Sequence, residues 1–165
     1  KHILQSCYTS YNASHPIVLL GHFNDFHRGF SSALQGFPIV TINNSSKMDQ
    51  AVDTSAGMNF KVDSVVLLVT SPEQLRDDIL ELKTNPSWNH LARFFILIKL
   101  GCDNLDSLLS TTWSLKIINV VYICALSEDD VAVYTFNPLA NYAPHPWLEV
   151  NIYDMAVYKH STYPK

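Results

Sequence analysis

Three side chains near the front of the chain are of types that bind metals or move protons: His22, Asp25 and His27. A neutral imidazole nitrogen can ligate a metal, and a carboxylate can orient the ring or share its proton. The spacing H-x2-D-x-H matches no established ligand or catalytic motif, and histidines that follow a strand are most often solvated polar side chains. Arg28 beside them can pair with Asp25. His90, His145 and His160 are dispersed along the chain and read as exposed side chains. No catalytic residue and no metal ligand set is therefore assigned.

Other chemistries are missing their material. A dinucleotide site wants G-x-G-x-x-G after the first strand, so that the backbone can approach a pyrophosphate. The text here is Gly21-His22-Phe23-Asn24-Asp25-Phe26, with Gly29 alone further on. A phosphate-cradling G-x4-G-K-[ST] loop is absent, and five glycines in all leave little for one. There is no G-x-S-x-G for a nucleophile elbow. The expectation is a chain that is not an enzyme and carries no cofactor.

The cysteines are Cys7, Cys102 and Cys124. None has the C-x2-C spacing of a metal site. Cys102 lies just past one apolar run and Cys124 near the end of the next. Consecutive strands of a parallel sheet are usually neighbours, so the two sulfurs can meet at one sheet edge as a disulfide. The plainer alternative is two small buried thiols. Cys7 is then left over, free or paired between chains. Asn12-Ala-Ser, Asn43-Asn-Ser and Asn44-Ser-Ser are acceptable glycosylation signals, which lean towards a secreted or extracellular protein. Asn85-Pro-Ser is excluded by its proline.

These residues must be positioned by the elements around them. Residues 17–23 (IVLLGHF) form a short apolar run that reads as a buried strand, and 38–42 (PIVTI) as a second. A weak helix is expected over 26–34 and a poor one over 49–58. The run 64–69 (SVVLLV) is a strand, followed at once by Ser71-Pro72-Glu73, a cap and first-turn signature. Leu75, Ile79 and Leu82 then share one helical face. Asn85-Pro86 ends that helix, and Trp88 and Leu91 are expected to pack over the sheet. Residues 94–100 (FFILIKL) are another buried run. Asp103 and Asn104 can start a helix carrying Leu105, Leu108, Leu109 and Trp113, with Lys116 near its carboxyl end, where a cation suits the dipole. Residues 117–125 (IINVVYICA) form a strand, and 131–136 (VAVYTF) its hairpin partner.

Continuous apolar strands alternating with one-faced helices imply an α/β fold: a doubly wound, Rossmann-like, mostly parallel sheet covered on both faces, with an antiparallel edge strand. The whole chain, 1–165, reads as a single domain, with 1–16 and 140–165 as extended or irregular terminal segments. Pro144, Pro146 and Trp147 belong to this surface chain, and its end reads as cut from something longer. Ligands of such folds bind at the carboxyl ends of the strands, which here places His22, Phe23, Thr70 and Leu100 around a candidate small-molecule pocket.

Only 16% of the residues are charged, against about a quarter in ordinary domains, while eight Phe, eight Tyr and three Trp make the chain apolar for its size. Some of that apolar surface can meet a protein partner or, by self-association, a second copy of the chain; the plainer alternative is a large, tight core. The net charge is −4 and the eleven Lys and Arg residues are scattered, so nothing marks a nucleic-acid partner. No apolar run approaches the roughly 20 residues of a spanning helix, so no membrane insertion is expected. No signal peptide precedes Lys1, which fits either a chain that had none or one that begins after cleavage.

The segment 94–138 resembles the amino-terminal, extracellular region of insect ionotropic receptors, divergent relatives of ionotropic glutamate receptors. The resemblance rests on an apolar strand (FFILI), a helix with paired leucines and a Trp (LLSTTWSLK), an INVVYI strand, and the signature Tyr134-Thr135-Phe136-Asn137-Pro138. Thr162-Tyr163-Pro164-Lys165 looks like the aromatic-Pro-x-Lys junction before that family's ligand-binding domain. The first 60 residues match only by element order. The resemblance implies one lobe of a periplasmic-binding-protein-like clamshell in a secreted or ectodomain glycoprotein. The family's ligand-binding lobes and pore helices are not in these residues, so none of its ligand-contacting residues is carried over. The reading that follows is a non-enzymatic receptor-like interaction domain; the alternative is a small-molecule carrier or sensor binding an apolar ligand at the carboxyl ends of the strands.

Overall fold

A strand whose neighbours cover both of its faces must be apolar at every position, and three runs of this chain are so built. In the computed structural model, Ile17–Leu20 (β1) and Ser64–Val69 (β3) are buried at every residue, and Arg93–Ile98 (β4) at every residue but its first. The structure describes residues 17–21, 39–42, 61–98, 102–126, 131–139, 143–144 and 147–149. The helices expected over 26–34 and 49–58, Cys7, and the glycosylation candidates Asn12, Asn43 and Asn44 lie outside the described residues.

Four further strands complete the sheet: Ile39–Ile42 (β2), Val120–Ala125 (β5), Val131–Phe136 (β6) and Trp147–Glu149 (β7). Their order across the seven-stranded sheet is β2-β1-β3-β4-β5-β6-β7. The pairs from β2 through to β5 are parallel, and β5–β6 and β6–β7 are antiparallel. This is the expected mostly parallel Rossmann-like α/β sheet. The hairpin strand β6 is not its edge, however, because β7 pairs outside it through Tyr134↔Glu149, Thr135↔Leu148 and Phe136↔Trp147. Trp147 therefore belongs to the sheet rather than to an extended surface chain, and Pro144 is buried just before it.

Burial changes character across the sheet. Along β5, Val120, Tyr122 and Cys124 are buried while Val121 and Ile123 are half-buried and Ala125 is exposed. That alternation is the mark of a strand packed mainly on one side. The packed side carries Val65, Leu67, Val69, Phe94, Ile96, Ile98, Val120, Tyr122 and Cys124 in one core cluster with the inward residues of two helices.

Those helices are Pro72–Lys83 (α1) and Leu105–Ser114 (α2). Ser71 caps α1: its hydroxyl oxygen accepts the Gln74 N–H at 3.2 Å, and Pro72 fills the first turn where no N–H partner exists. Glu73 in that turn has its carboxyl held below the usual value, first by a backbone N–H and then by Ser71. Leu75, Ile79 and Leu82 bury the expected face. At the other end, the Lys83 ammonium donates to the Leu115 carbonyl at 2.9 Å and stands 5.9 Å over the Trp88 ring, tying α1 to the end of α2. Trp88 packs against the core and meets Phe94 at 5.7 Å. Leu91 does not pack over the sheet; it is exposed.

The helix α2 stops in a way that glycine usually performs. Lys116 takes φ 63°, its N–H donates to the Trp113 carbonyl at 3.0 Å, and the Ile117 N–H donates to the Thr112 carbonyl at 2.9 Å. These two bonds satisfy carbonyls that the helix leaves open, and they turn the chain so that Ile117 is buried beneath it. A lysine expected near this end to suit the dipole thus serves as the left-handed turn residue.

Gly21 follows β1 with φ 123°, and a Cβ there would stand 3.1 Å from the Leu68 carbonyl oxygen and 3.2 Å from Leu68 Cβ. Backbone of this kind costs a non-glycine residue about 1–3 kcal/mol. Gly21→Ala should therefore lower the urea midpoint by an amount equivalent to roughly 1–3 kcal/mol. An unchanged midpoint would show that β1 does not end against Leu68 as described.

Candidate functional site

The order β2-β1-β3 means that the chain leaves β1 for one side of the sheet and returns to the other. The carboxyl ends of β1 and β3 thus flank the point where the winding reverses, the usual crevice for ligands in such sheets. Gly21 directly follows the first of these strands and Thr70 the second. Of the four candidate pocket residues, His22, Phe23 and Leu100 lie outside the described residues, as do Asp25 and His27. Thr70 is described, and it is exposed.

Thr70 is held by its own helix. Its N–H donates to Gln74 Oε1 at 3.0 Å and its hydroxyl donates to the same oxygen at 2.7 Å. Gln74 Nε2 in turn donates to the Leu68 carbonyl at 3.2 Å and lies 3.4 Å from Asp78 Oδ2. One glutamine side chain therefore closes the carboxyl end of β3 onto the first turn of α1. Because the Thr70 hydroxyl proton is already used, this residue can offer an approaching ligand its oxygen lone pairs but not a free donor.

Sequence reasoning missed Gln74 and Asp78. Nothing in the sequence separates Gln74 from the other polar residues of α1. Asp78 did leave a signal: with Leu75, Ile79 and Leu82 it completes the i, i+3, i+4, i+7 stripe of the inward face. It is 3% exposed, a carboxylate at a core position, and Gln74 is one of its partners. Among the described residues, no group of three or more His, Cys, Asp or Glu side chains could hold a metal ion.

The cysteine pair lies two strands further along the same edge. Cys124 is on β5 opposite Ile98 and has no solvent exposure. Cys102 follows β4, is half-buried, and packs against the core cluster that contains Cys124. Burial pushes the Cys124 thiol well above its ordinary value, and the Cys102 side chain beside it pushes further in the same direction. Both cysteines are thiols in the structure.

Among the described residues, few polar side chains are buried on the helix-covered face. Tyr122 on β5 is fully buried, its hydroxyl sharing a hydrogen bond with the Thr112 hydroxyl of α2 and reaching the Leu108 carbonyl at 3.2 Å. Thr112 Oγ1 also donates within its helix, 3.0 Å from the Leu109 carbonyl. Two aromatic residues from distant segments meet nearby. Trp113 of α2 and Phe136 of β6 lie edge to face, with centroids 5.6 Å apart and planes at 82°.

Comparison of the chain with protein-family models, with curated proteins and with solved structures found no match. Its class follows from the fold itself: a doubly wound α/β domain in which a parallel 2-1-3-4-5 sheet continues into two antiparallel strands. No helix among the described residues is long and apolar enough to cross a membrane.

Proposed function

We propose that this chain is a non-enzymatic, secreted or ectodomain, receptor-like interaction domain similar to the amino-terminal region of ionotropic receptors. The observation that carries the reading is the contact between Trp113 and Phe136. Both residues belong to the segments on which the resemblance rests, and they are 23 positions apart along the chain. Their edge-to-face packing supplies a physical reason for a Trp on the helix to accompany a Tyr-Thr-aromatic-x-Pro strand. The order strand, helix, strand, antiparallel strand across β4, α2, β5 and β6 supports the same reading. The scarcity of charge and the abundance of aromatic residues suit a surface that meets another protein.

The test is the intact mass of the protein recovered from its source, before and after an N-glycosidase. The expected result is a mass loss that leaves aspartate at Asn12, Asn43 or Asn44. A protein that carries no glycan and fractionates with the cytosol would overturn the secreted, receptor-like reading. A small apolar molecule released from such a protein on denaturation would favour the carrier instead.

A further inference from the structure

The fold brings Cys102 and Cys124 to one end of the sheet with unequal access to solvent. Cys124 faces the helix-covered core from β5, directly before Ala125 and Leu126, both of which are exposed. Its strand partner is Ile98, the last residue of β4. From Ile98 the chain needs only to reach Cys102, whose carbonyl accepts the Leu105 N–H at 3.1 Å as α2 begins. Cys102 thus stands at the start of the helix that covers β5, half-buried, against the cluster that holds Cys124. Cys102 packs against the core cluster to which Cys124 belongs, and Cys124 is paired across the sheet with the last residue of β4, the strand that Cys102 follows.

We propose that Cys102 and Cys124 form a reversible disulfide that locks the start of α2 to β5, closed by exchange with a small-molecule disulfide such as oxidised glutathione. Access sets the order of the two steps. The Cys102 thiolate, after giving its proton to solvent, attacks one sulfur of the incoming disulfide. That S–S bond breaks, a first thiolate leaves and takes up a proton, and Cys102 carries a mixed disulfide. Cys124 then loses its proton to solvent and attacks Cys102 Sγ, expelling the second thiolate, which is protonated in turn. Two protein thiols are oxidised by two electrons in all, and the incoming disulfide is reduced to two thiols. The second step is the slower, because the buried Cys124 must first become a thiolate.

The test uses the full chain, reduced, freed of reductant and incubated with oxidised glutathione under native conditions. Remaining thiols are then blocked and the protein is digested without reduction. The expected product is a peptide pair joining Cys102 to Cys124, two hydrogens lighter than its parts and separated by reductant. Cys124→Ser should stop at glutathione on Cys102, whereas Cys102→Ser should leave Cys124 unmodified until the protein is denatured. The cross-linked form should melt about 5–10 °C above the reduced form, as expected for closing a loop of roughly 20 residues. Three results would each overturn the proposal: pairing of Cys7 with either residue instead, a Cys102–Cys124 link that forms only in denaturant, or glutathione captured first by Cys124. Circular dichroism of each variant distinguishes these outcomes from failure to fold.

Discussion

Tyr122→Ala is expected to lower the unfolding free energy by about 3–5 kcal/mol, the usual cost of removing a fully buried aromatic ring. The ring lies on β5 with no solvent exposure, inside the cluster that joins α1 and α2 to the sheet. Leu108 and Leu109 of the covering helix are themselves fully or almost fully buried, so neither is placed to collapse freely into the space. Tyr122→Phe keeps the ring and removes only the hydroxyl. Thr112 retains its bond to the Leu109 carbonyl at 3.0 Å, so the cost of this variant should be smaller, about 1–2 kcal/mol. Urea denaturation of the two variants measures the ring and the hydroxyl separately.

The same residue gives stability a dependence on alkaline pH. Burial raises the Tyr122 phenol above its ordinary value, and the Thr112 hydrogen bond offsets only part of that. The folded state therefore holds the proton to higher pH than the unfolded chain, whose tyrosines titrate near pH 10. Above about pH 10 the unfolded state releases a proton that the folded state keeps, and stability falls as pH rises. The contribution is whole below that pH. Cys124 acts with the same sign from its own lower ordinary value, because its thiol is also raised. Tyr122→Phe should flatten the fall in urea midpoint between about pH 9 and 11, one unit either side of the ordinary tyrosine value, while leaving the Cys124 contribution in place. A variant with the wild-type alkaline slope would show that another group is responsible.

Phe136→Ala is the second large effect, again about 3–5 kcal/mol. Phe136 is 4% exposed and ends β6, where it pairs with Trp147 of β7 and meets Trp113 edge to face. Losing it removes apolar contact from the core and weakens the attachment of the last two strands together. The part due to the aromatic pair itself can be separated by a cycle with Trp113→Leu. A coupling energy of about 0.5–1.5 kcal/mol is expected for a contact of this geometry. If the two losses simply add, the contact does not explain why these aromatics occur together, and the proposed receptor-like reading loses its main support.

These residues also show how far the fold could be read from the sequence. The strands β3 and β4 and both helices α1 and α2 were legible because local and global signals agree there. SVVLLV and RFFILI are β-branched or apolar at strand length, and Ser71-Pro72 followed by Leu75, Ile79 and Leu82 is a cap plus a helical stripe. The ends were less legible. The run 17–23 stays apolar past the strand, but β1 stops at Leu20 because Gly21 adopts a positive φ against Leu68. Residues 117–125 look like one strand, yet β5 begins only at Val120, because the turn through Lys116 and Ile117 still belongs to the end of α2. A lysine in a left-handed turn carries no glycine to announce it. The three residues of β7 show no period at all, and their pairing comes from β6 rather than from their own preference.

The candidate site was legible in position more than in detail. Thr70 and the two cysteines could be placed near the carboxyl ends of β3, β4 and β5 from the sequence alone, since parallel order puts those ends together. The bonds that hold Thr70 could not be read, because Gln74 bridges three groups only once α1 has docked behind β3. Asp78 was visible as a carboxylate on an apolar stripe, and the stripe rather than the residue dominated the reading.

The gradient of burial across the sheet sets a gradient in how readily its backbone amides meet solvent. Those of β3 and β4, shut in on both faces and paired on both sides, should exchange with deuterium only when the whole domain opens. Those of β2, where Ile39 and Thr41 are exposed at one margin, and of the three-residue β7 at the other, should exchange through local fraying long before that. Any partner that adds a strand to this sheet would therefore find its margins already loose and its centre closed.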